Sequence, residues 1–366
     1  ELVERPHTHT HTHTHTHIQN MHDDAAAVAP AVAKIPRFET VYFYTTKYVV
    51  NLTRSLSQLF LKEFKILTSG ISCDNVVSRD DVLRNRSNPT ELMFILIPQL
   101  LVVDNDALPD TNKYCLYQLE QLNDKHGSTA AADRTNIKTD FESPIMIALI
   151  KGSIVSYDYS AINLKHYPAA LIPKVCVLPP PVYVPSDIIT SSMRQNTYAS
   201  LYKYKSDILF YGGMNPRRER ILSQIMDPLQ KGHGYKIIII NRVFGDELLN
   251  YILNTRVVLN IHYYANSILE TDRIHAALQF DHVKLVSEYP TERDALLPTY
   301  KAHRNRILFC EEISDRFFTT SELIKTCVCA LAAPIEASSD TKSTDPLAPV
   351  LNALCAAEIR RRYVFS

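Results

Sequence analysis

The stretch from Asp207 to Ile240, DILFYGGMNPRRERILSQIMDPLQKGHGYKIIII, decides the fold class. Asp207 to Tyr211 is short and apolar, as a buried strand should be. Gly212 and Gly213 let the backbone turn, Asn215 suits a helix cap, and Pro216 fits the first helical turn. Apolar residues at 221, 222, 225, 226 and 229 then recur at helical spacing. Tyr235 to Ile240, with four consecutive Ile, is the next strand.

The alternation continues on both sides. Downstream, Asp246 to Leu253 reads as helix, Arg256 to Ile261 as strand, Ile268 to Phe280 as helix and Val283 to Ser287 as strand. A helix at 291–301, a strand from Ile307 to Cys310 and a helix starting near Ser314 follow. Upstream, Glu39 to Tyr44 is a strand and Lys47 to Lys62 a helix. Phe64 to Thr68, Leu92 to Ile97 and Tyr114 to Leu119 are further strands. Pro144 opens a short helix, and strands at Ile154 to Tyr157 and Val175 to Leu178 precede the Pro179-Pro180-Pro181 stop. Strands separated by helical patterns mean parallel sheets with right-handed crossovers. The expected fold class is α/β, with two tandem Rossmann-like domains. The boundaries read as a low-complexity arm and linker at 1–36, a first domain at 37–187, a linker at 188–205, a second domain at 206–332 and a tail with a short terminal helix at 333–366.

The arm alternates His and Thr from His7 to His17, the pattern of a translated CA repeat. It is either a His-rich metal tract or a disordered arm that binds metal only adventitiously. Composition narrows the function classes. The 366 residues carry 39 Lys+Arg and 39 Asp+Glu, so charge gives no reason to expect nucleic acid as a partner. The 8 glycines are about 2% of the chain against a usual ~7%, which speaks against a glycine-rich phosphate loop. No GxGxxG follows an expected strand, and HExxH, GxSxG and Walker patterns are missing, so oxidoreductase, hydrolase and NTPase readings lack support. Seven scattered cysteines without metal spacing read as buried thiols, giving a cytoplasmic, soluble expectation with no metal site. No window is long and apolar enough for a transmembrane segment.

Ligands of open parallel sheets bind beyond the carboxyl ends of the strands. Arg217 and Arg218 stand there in a first helical turn, where the macrodipole disfavours cations unless an anion joins them. After the strand ending at Ile261 comes His262-Tyr-Tyr-Ala-Asn-Ser267-Ile-Leu-Glu270-Thr-Asp-Arg273. Ser267 and Glu270 have the S-x-x-E spacing of a capping box; a carboxylate at this place also suits the hydroxyls of a ribose.

The run from Val258 to Ile274, with the apolar helix after it and Val286-Ser-Glu288, resembles the C-terminal half of GT-B glycosyltransferases. It is most similar to their group-1-like and spore-maturation-type branches. The resemblance spans about residues 65–320 and takes in Tyr211-Gly-Gly-Met-Asn-Pro-Arg-Arg218, Tyr117-Gln-Leu-Glu-Gln121 and Tyr157-Asp-Tyr-Ser-Ala-Ile-Asn163. It implies a nucleoside-diphosphate sugar donor (UDP or GDP) in the second domain, and a carbohydrate, lipid or protein acceptor in the first. It implies that Glu270 holds the donor ribose and Arg217 or Arg218 the diphosphate, with no metal cofactor. Gly213, His262, Tyr263, Asn266 and Ser267 would line the donor pocket. Arg273 would orient Glu270 or form an ordinary i,i+3 pair with it. Glu120 and Asp158 follow strands of the first domain and are the candidate bases of an inverting reaction, although Asp158 equally suits a helix cap. The chain departs from the family pattern in having Tyr44-Thr45-Thr46 where a glycine-rich turn is usual. That departure keeps open an inactive GT-B-like binding module.

Overall fold

Two parallel sheets carry most of the described residues of the computed structural model, which are 37–72, 90–98, 113–119, 121–122, 144–181, 205–264, 267–280, 282–289, 306–310, 320–332, 347–362 and 364–365. Strand β1 is Arg37–Phe38, and β2 (Thr40–Thr45) starts the first sheet. Helix α1 (Val50–Leu59), β3 (Thr68–Ser72), β4 (Glu91–Leu96) and β5 (Tyr114–Gln118) follow. Helix α2 (Pro144–Gly152), β6 (Ser156–Asp158) and β7 (Val175–Val177) complete this part. The second sheet comprises β8 (Ser206–Tyr211), β9 (Ile237–Ile240), β10 (Thr255–Asn260), β11 (Lys284–Glu288) and β12 (Ile307–Cys310). Its helices are α3 (Pro216–Asp227), α4 (Gly245–Leu253), α5 (Thr271–Leu278) and α6 (Thr320–Ala332). Helix α7 (Leu347–Arg362) and strand β13 (Val364–Phe365) end the chain.

The strand order is β3-β2-β4-β5-β6-β7 in the first sheet and β12-β11-β10-β8-β9 in the second, and among the described residues all of these pairings are parallel. Both orders reverse direction beside their first strand, the doubly wound pattern that leaves a crevice at a topological switch point. In the second sheet that point lies between β8 and β10.

The period of two along each strand explains the layers. Ile208 and Phe210 of β8 pack with Ile221, Leu222 and Ile225 of α3 and with Leu323 of α6. The alternate residues, Leu209 and Tyr211, pack with Leu248 and Leu249 of α4 and Ile274 of α5. In the first sheet Phe43 and Phe94 face α1, while Met93, Ile95 and Leu116 face Met146, Leu149 and Ile150 of α2. Burying both faces accounts for strands that are apolar throughout.

Two expectations are corrected. Phe64 to Thr68 is not a strand, because helix α1 runs on as a π-turn through Phe64. Lys65 at φ 62 stops it, and pairing with β2 begins only at Thr68. The final helix is not a short tail element. Cys355, Ala356 and Ile359 of α7 are buried in the first sheet's core, and β13 pairs with β1. The arm at 1–36, Glu120, Asn266 and the helix expected at 291–301 lie outside the described residues.

Candidate functional site

The site is built at the carboxyl edge of the second sheet, on either side of its switch point. After β8 the backbone turns at Gly212, whose φ is +131. Asn215 caps α3 by accepting the Arg218 N–H at 2.8 Å, and its amide donates to the Tyr263 carbonyl at 2.7 Å. One side chain therefore starts the helix and ties it to the segment leaving β10. Pro216 occupies the first turn.

The two arginines that follow behave differently. Arg218 is fully buried. Its guanidinium donates to the carbonyls of Ile261 (2.9 Å) and Gly213 (2.6 Å) and to both oxygens of Glu270 (3.1 and 3.3 Å). It also lies 5.1 Å from the centroid of the Tyr263 ring, within cation–π range. Burial, with the neighbouring charge of Arg273, lowers its pKa to about 10, so it remains charged at neutral pH. Arg217 reaches the other way. It grips Glu288 with two bonds (2.5 and 2.9 Å) and donates to the His262 carbonyl at 2.8 Å.

Glu270 is the centre of the group. Besides Arg218, its oxygens accept from the Tyr263 N–H at 3.0 Å and pair with Arg273 at 3.1 Å. Burial alone would raise its pKa; the charges of Arg273 and Arg218 overcome that and hold it below the ordinary carboxylate value. The capping box read from Ser267 and Glu270 does not form. Helix α5 starts at Thr271, and Glu270 sits at the cap position without a side-chain cap bond. The arginines take up its carboxylate, while the Ser267 hydroxyl accepts the Tyr264 N–H at 3.3 Å.

Arg273 pairs with Glu270 and reaches Asn260 Oδ1 at 3.3 Å. It lies so close over the turn that a Cβ at Gly212 would come within 2.5 Å of its Nη2. His262 is buried, its N–H donates to Glu288, and burial lowers its pKa, which keeps the imidazole neutral at neutral pH. Its Nε2 has no hydrogen-bond partner among the described residues. A buried orphan of this kind calls for a water or a ligand atom. Gly213 stands beside the Tyr263 ring, with an added Cβ at 3.7 Å. In this one cluster three guanidinium groups face two carboxylates, leaving net positive charge at a strand edge.

The structure thus brings Gly213, Arg217, Arg218, His262, Tyr263, Ser267, Glu270 and Arg273 to one edge. It adds residues to which the sequence reading assigned no role. Glu288 ends β11 and holds Arg217, and Asn260 ends β10 and meets Arg273. Tyr211 ends β8 and donates its hydroxyl to the Arg273 carbonyl at 2.6 Å. Each is the last residue of a strand in the second sheet, at its carboxyl edge, and that position was the available signal.

In the first domain Asp158 ends β6 and is fully buried. It accepts the Ser160 N–H (2.9 Å), the Asn163 amide (3.0 and 3.2 Å) and the Tyr167 hydroxyl (2.9 Å). Burial pushes its pKa up to about 7 against the opposing pull of those bonds. Its geometry is that of an interior brace for the short 3₁₀-helix Ala161–His166. Among the described residues no group of three His, Cys, Asp or Glu could hold a metal ion. Among them, too, no helix is long and apolar enough to cross a membrane.

Searches with the sequence match no family model and no curated protein. Solved structures align over most of the chain. AviGT4, a glycosyltransferase involved in avilamycin A biosynthesis, aligns at 12% identity and TM-score 0.46, covering 89% of this chain and 97% of its own. A UDP-forming α,α-trehalose-phosphate synthase from Burkholderia xenovorans aligns at 10% identity and TM-score 0.40, over 79% and 72%. UDP-GlcNAc 2-epimerase from Methanocaldococcus jannaschii aligns at 12% identity and TM-score 0.39, over 88% and 98%.

Proposed function

We propose that the second domain binds the diphosphate and ribose of a UDP- or GDP-sugar, and that the protein transfers that sugar to an acceptor hydroxyl held by the first domain. The reading rests on one observation: a net-positive cluster of Arg217, Arg218, Arg273, Glu270 and Glu288 at the switch point of a doubly wound sheet. Glycosyl transfer releases a nucleoside diphosphate that gains negative charge. Guanidinium groups fixed beside it stabilise that charge, and fixed dipoles need no reorganisation as it develops. Arg217 and Arg273 keep some solvent exposure (12% and 16% of their side chains), so an incoming phosphate can reach them where they stand. Arg218 has 1% exposure and acts as the brace that holds Glu270 for the ribose hydroxyls. The orphan His262 Nε2 is a further polar contact for the donor. The likeness to the group-1-like and spore-maturation-type branches belongs to the same proposal, as does a cytoplasmic setting for a reaction that consumes nucleotide sugars.

One observation favours a second reading, a binding module without transfer. Asp158 is buried with both oxygens occupied, so it is poorly placed to take a proton from an acceptor.

The test is thermal-shift and calorimetric titration with UDP, GDP and their sugars. Wild type should be stabilised by about 2.7 kcal/mol at a hundred times Kd. Glu270→Gln is the informative variant, because it leaves Arg218 an acceptor. Glu270→Ala would strand a buried guanidinium and cost about 3–5 kcal/mol by itself. Loss of the nucleotide shift in Glu270→Gln supports the donor site; no shift in well-folded wild type rejects it. Hydrolysis or transfer of the sugar from a bound donor then separates the transferase from the binding module.

A further inference from the structure

Residues 267–270 form a strap between the segment after β10 and helix α5, and the strap is held from both domains. Leu269 packs into the core of the second sheet. Its neighbour Ile268, only 5% exposed, packs into the core of the first sheet together with residues of α1 and α7. Two neighbouring side chains of one strap thus contribute to two cores. The Ile268 N–H donates to Gln121 Oε1 of the first domain at 3.1 Å. Gln121 stands on an anchored segment: the next residue, Leu122, is buried and donates its N–H to Asn163 Oδ1 at 3.0 Å. Asn163 is in turn bonded to the buried Asp158. Two residues beyond Ile268 stands Glu270, with the Tyr263 N–H on its Oε1.

We propose that Gln121 is a positioning residue. By holding the Ile268 amide it sets the strap, and thereby the place of the Glu270 carboxylate between Arg218 and Arg273. The consequence for binding rests on the donor-site reading above: affinity for a nucleoside diphosphate depends on docking of the first domain. By linkage, bound nucleotide then strengthens that docking by the same factor. The buried network around Asp158 acquires a role in this scheme, as the footing of the segment that carries Gln121.

The experiment uses the full chain with Gln121→Met, which keeps the length of the side chain and removes the acceptor, and Gln121→Glu, which keeps an acceptor. Amide hydrogen exchange is read at Ile268 and at Tyr263, the second because its N–H reports where Glu270 sits. In Gln121→Met both amides should exchange faster, by about fivefold for one lost hydrogen bond, and in Gln121→Glu both should stay near wild type. Faster exchange at Ile268 alone, with Tyr263 unchanged, would reduce Gln121 to a local contact and overturn the positioning role. So would unchanged exchange at both. UDP and GDP titrations of the same three proteins test the consequence, with Gln121→Met expected to bind several-fold more weakly. If wild type binds neither nucleotide, the donor reading fails, while the exchange at Tyr263 still decides the positioning role.

Discussion

Gly212 shows how closely a single residue constrains the site. Its φ of +131 is one that L side chains rarely adopt, and an added Cβ would meet the Arg273 guanidinium at 2.5 Å. Arg273 cannot simply move aside, because Glu270 and Asn260 hold it. Gly212→Ala should therefore destabilise the protein by about 1–3 kcal/mol in denaturant titration and displace Arg273. A variant as stable as wild type would mean that the turn is not strained. Asp158 makes a pH prediction at the same scale. Its folded pKa is raised from 3.8 to about 7, so between those values the folded state binds a proton that the unfolded state has lost. Stability from this group is therefore greatest below pH 4 and declines as pH rises toward 7, by at most about 1.4 kcal/mol per pH unit. Asp158→Asn should flatten that part of a stability–pH curve, measured by chemical denaturation; an unchanged slope would place the ionised form in the folded state. The positions of Arg217, Arg218 and Glu270 at the starts of helices that follow strands were legible in the sequence, whereas their partners were not. Arg218 meets Glu270 52 residues away and Arg217 meets Glu288 71 residues away, and nothing local announces either pairing.

At the scale of elements, the hydrophobic pattern carried most of the information. Strands buried on both faces read as continuous apolar runs, and β4, β5, β8 and β10 lie within a residue or so of where those runs placed them. The errors arise where a local signal met a stronger tertiary one. The S-x-x-E spacing from Ser267 predicted the start of α5, yet the helix begins at Thr271 because Glu270 is engaged by Arg218, Arg273 and the Tyr263 N–H. Phe64 to Thr68 reads as a strand, but Ile66 is buried against the end of the preceding helix while Leu67 projects outward with 76% exposure. Register with β2 starts one residue later.

At the scale of the whole molecule, the closing helix is the part least legible from sequence. Helix α7 has no strong apolar stripe, and it closes on three consecutive arginines, Arg360, Arg361 and Arg362. Its packing explains the pattern: Cys355, Ala356 and Ile359 form a narrow buried face in the first sheet's core. The arginines are partnered at the rim, Arg360 by Glu63 and Arg361 and Arg362 by Glu358. Those exposed pairs contribute little each, about 0–1 kcal/mol, so the buried face does most of the holding. A chain that starts its first sheet with β2 and returns to it at α7 closes the first domain with a helix that follows the second sheet in sequence. Ile359→Ala should then cost about 2–5 kcal/mol, the usual range for emptying a well-packed aliphatic site, and the loss should fall on the first domain. Hydrogen exchange resolved by segment distinguishes the outcomes. Faster exchange in β2, β4 and α1 with β8, β10 and β11 unchanged is the result expected of a helix that belongs to the first core. Equal acceleration in both sheets would instead mean that the two domains unfold as one cooperative unit.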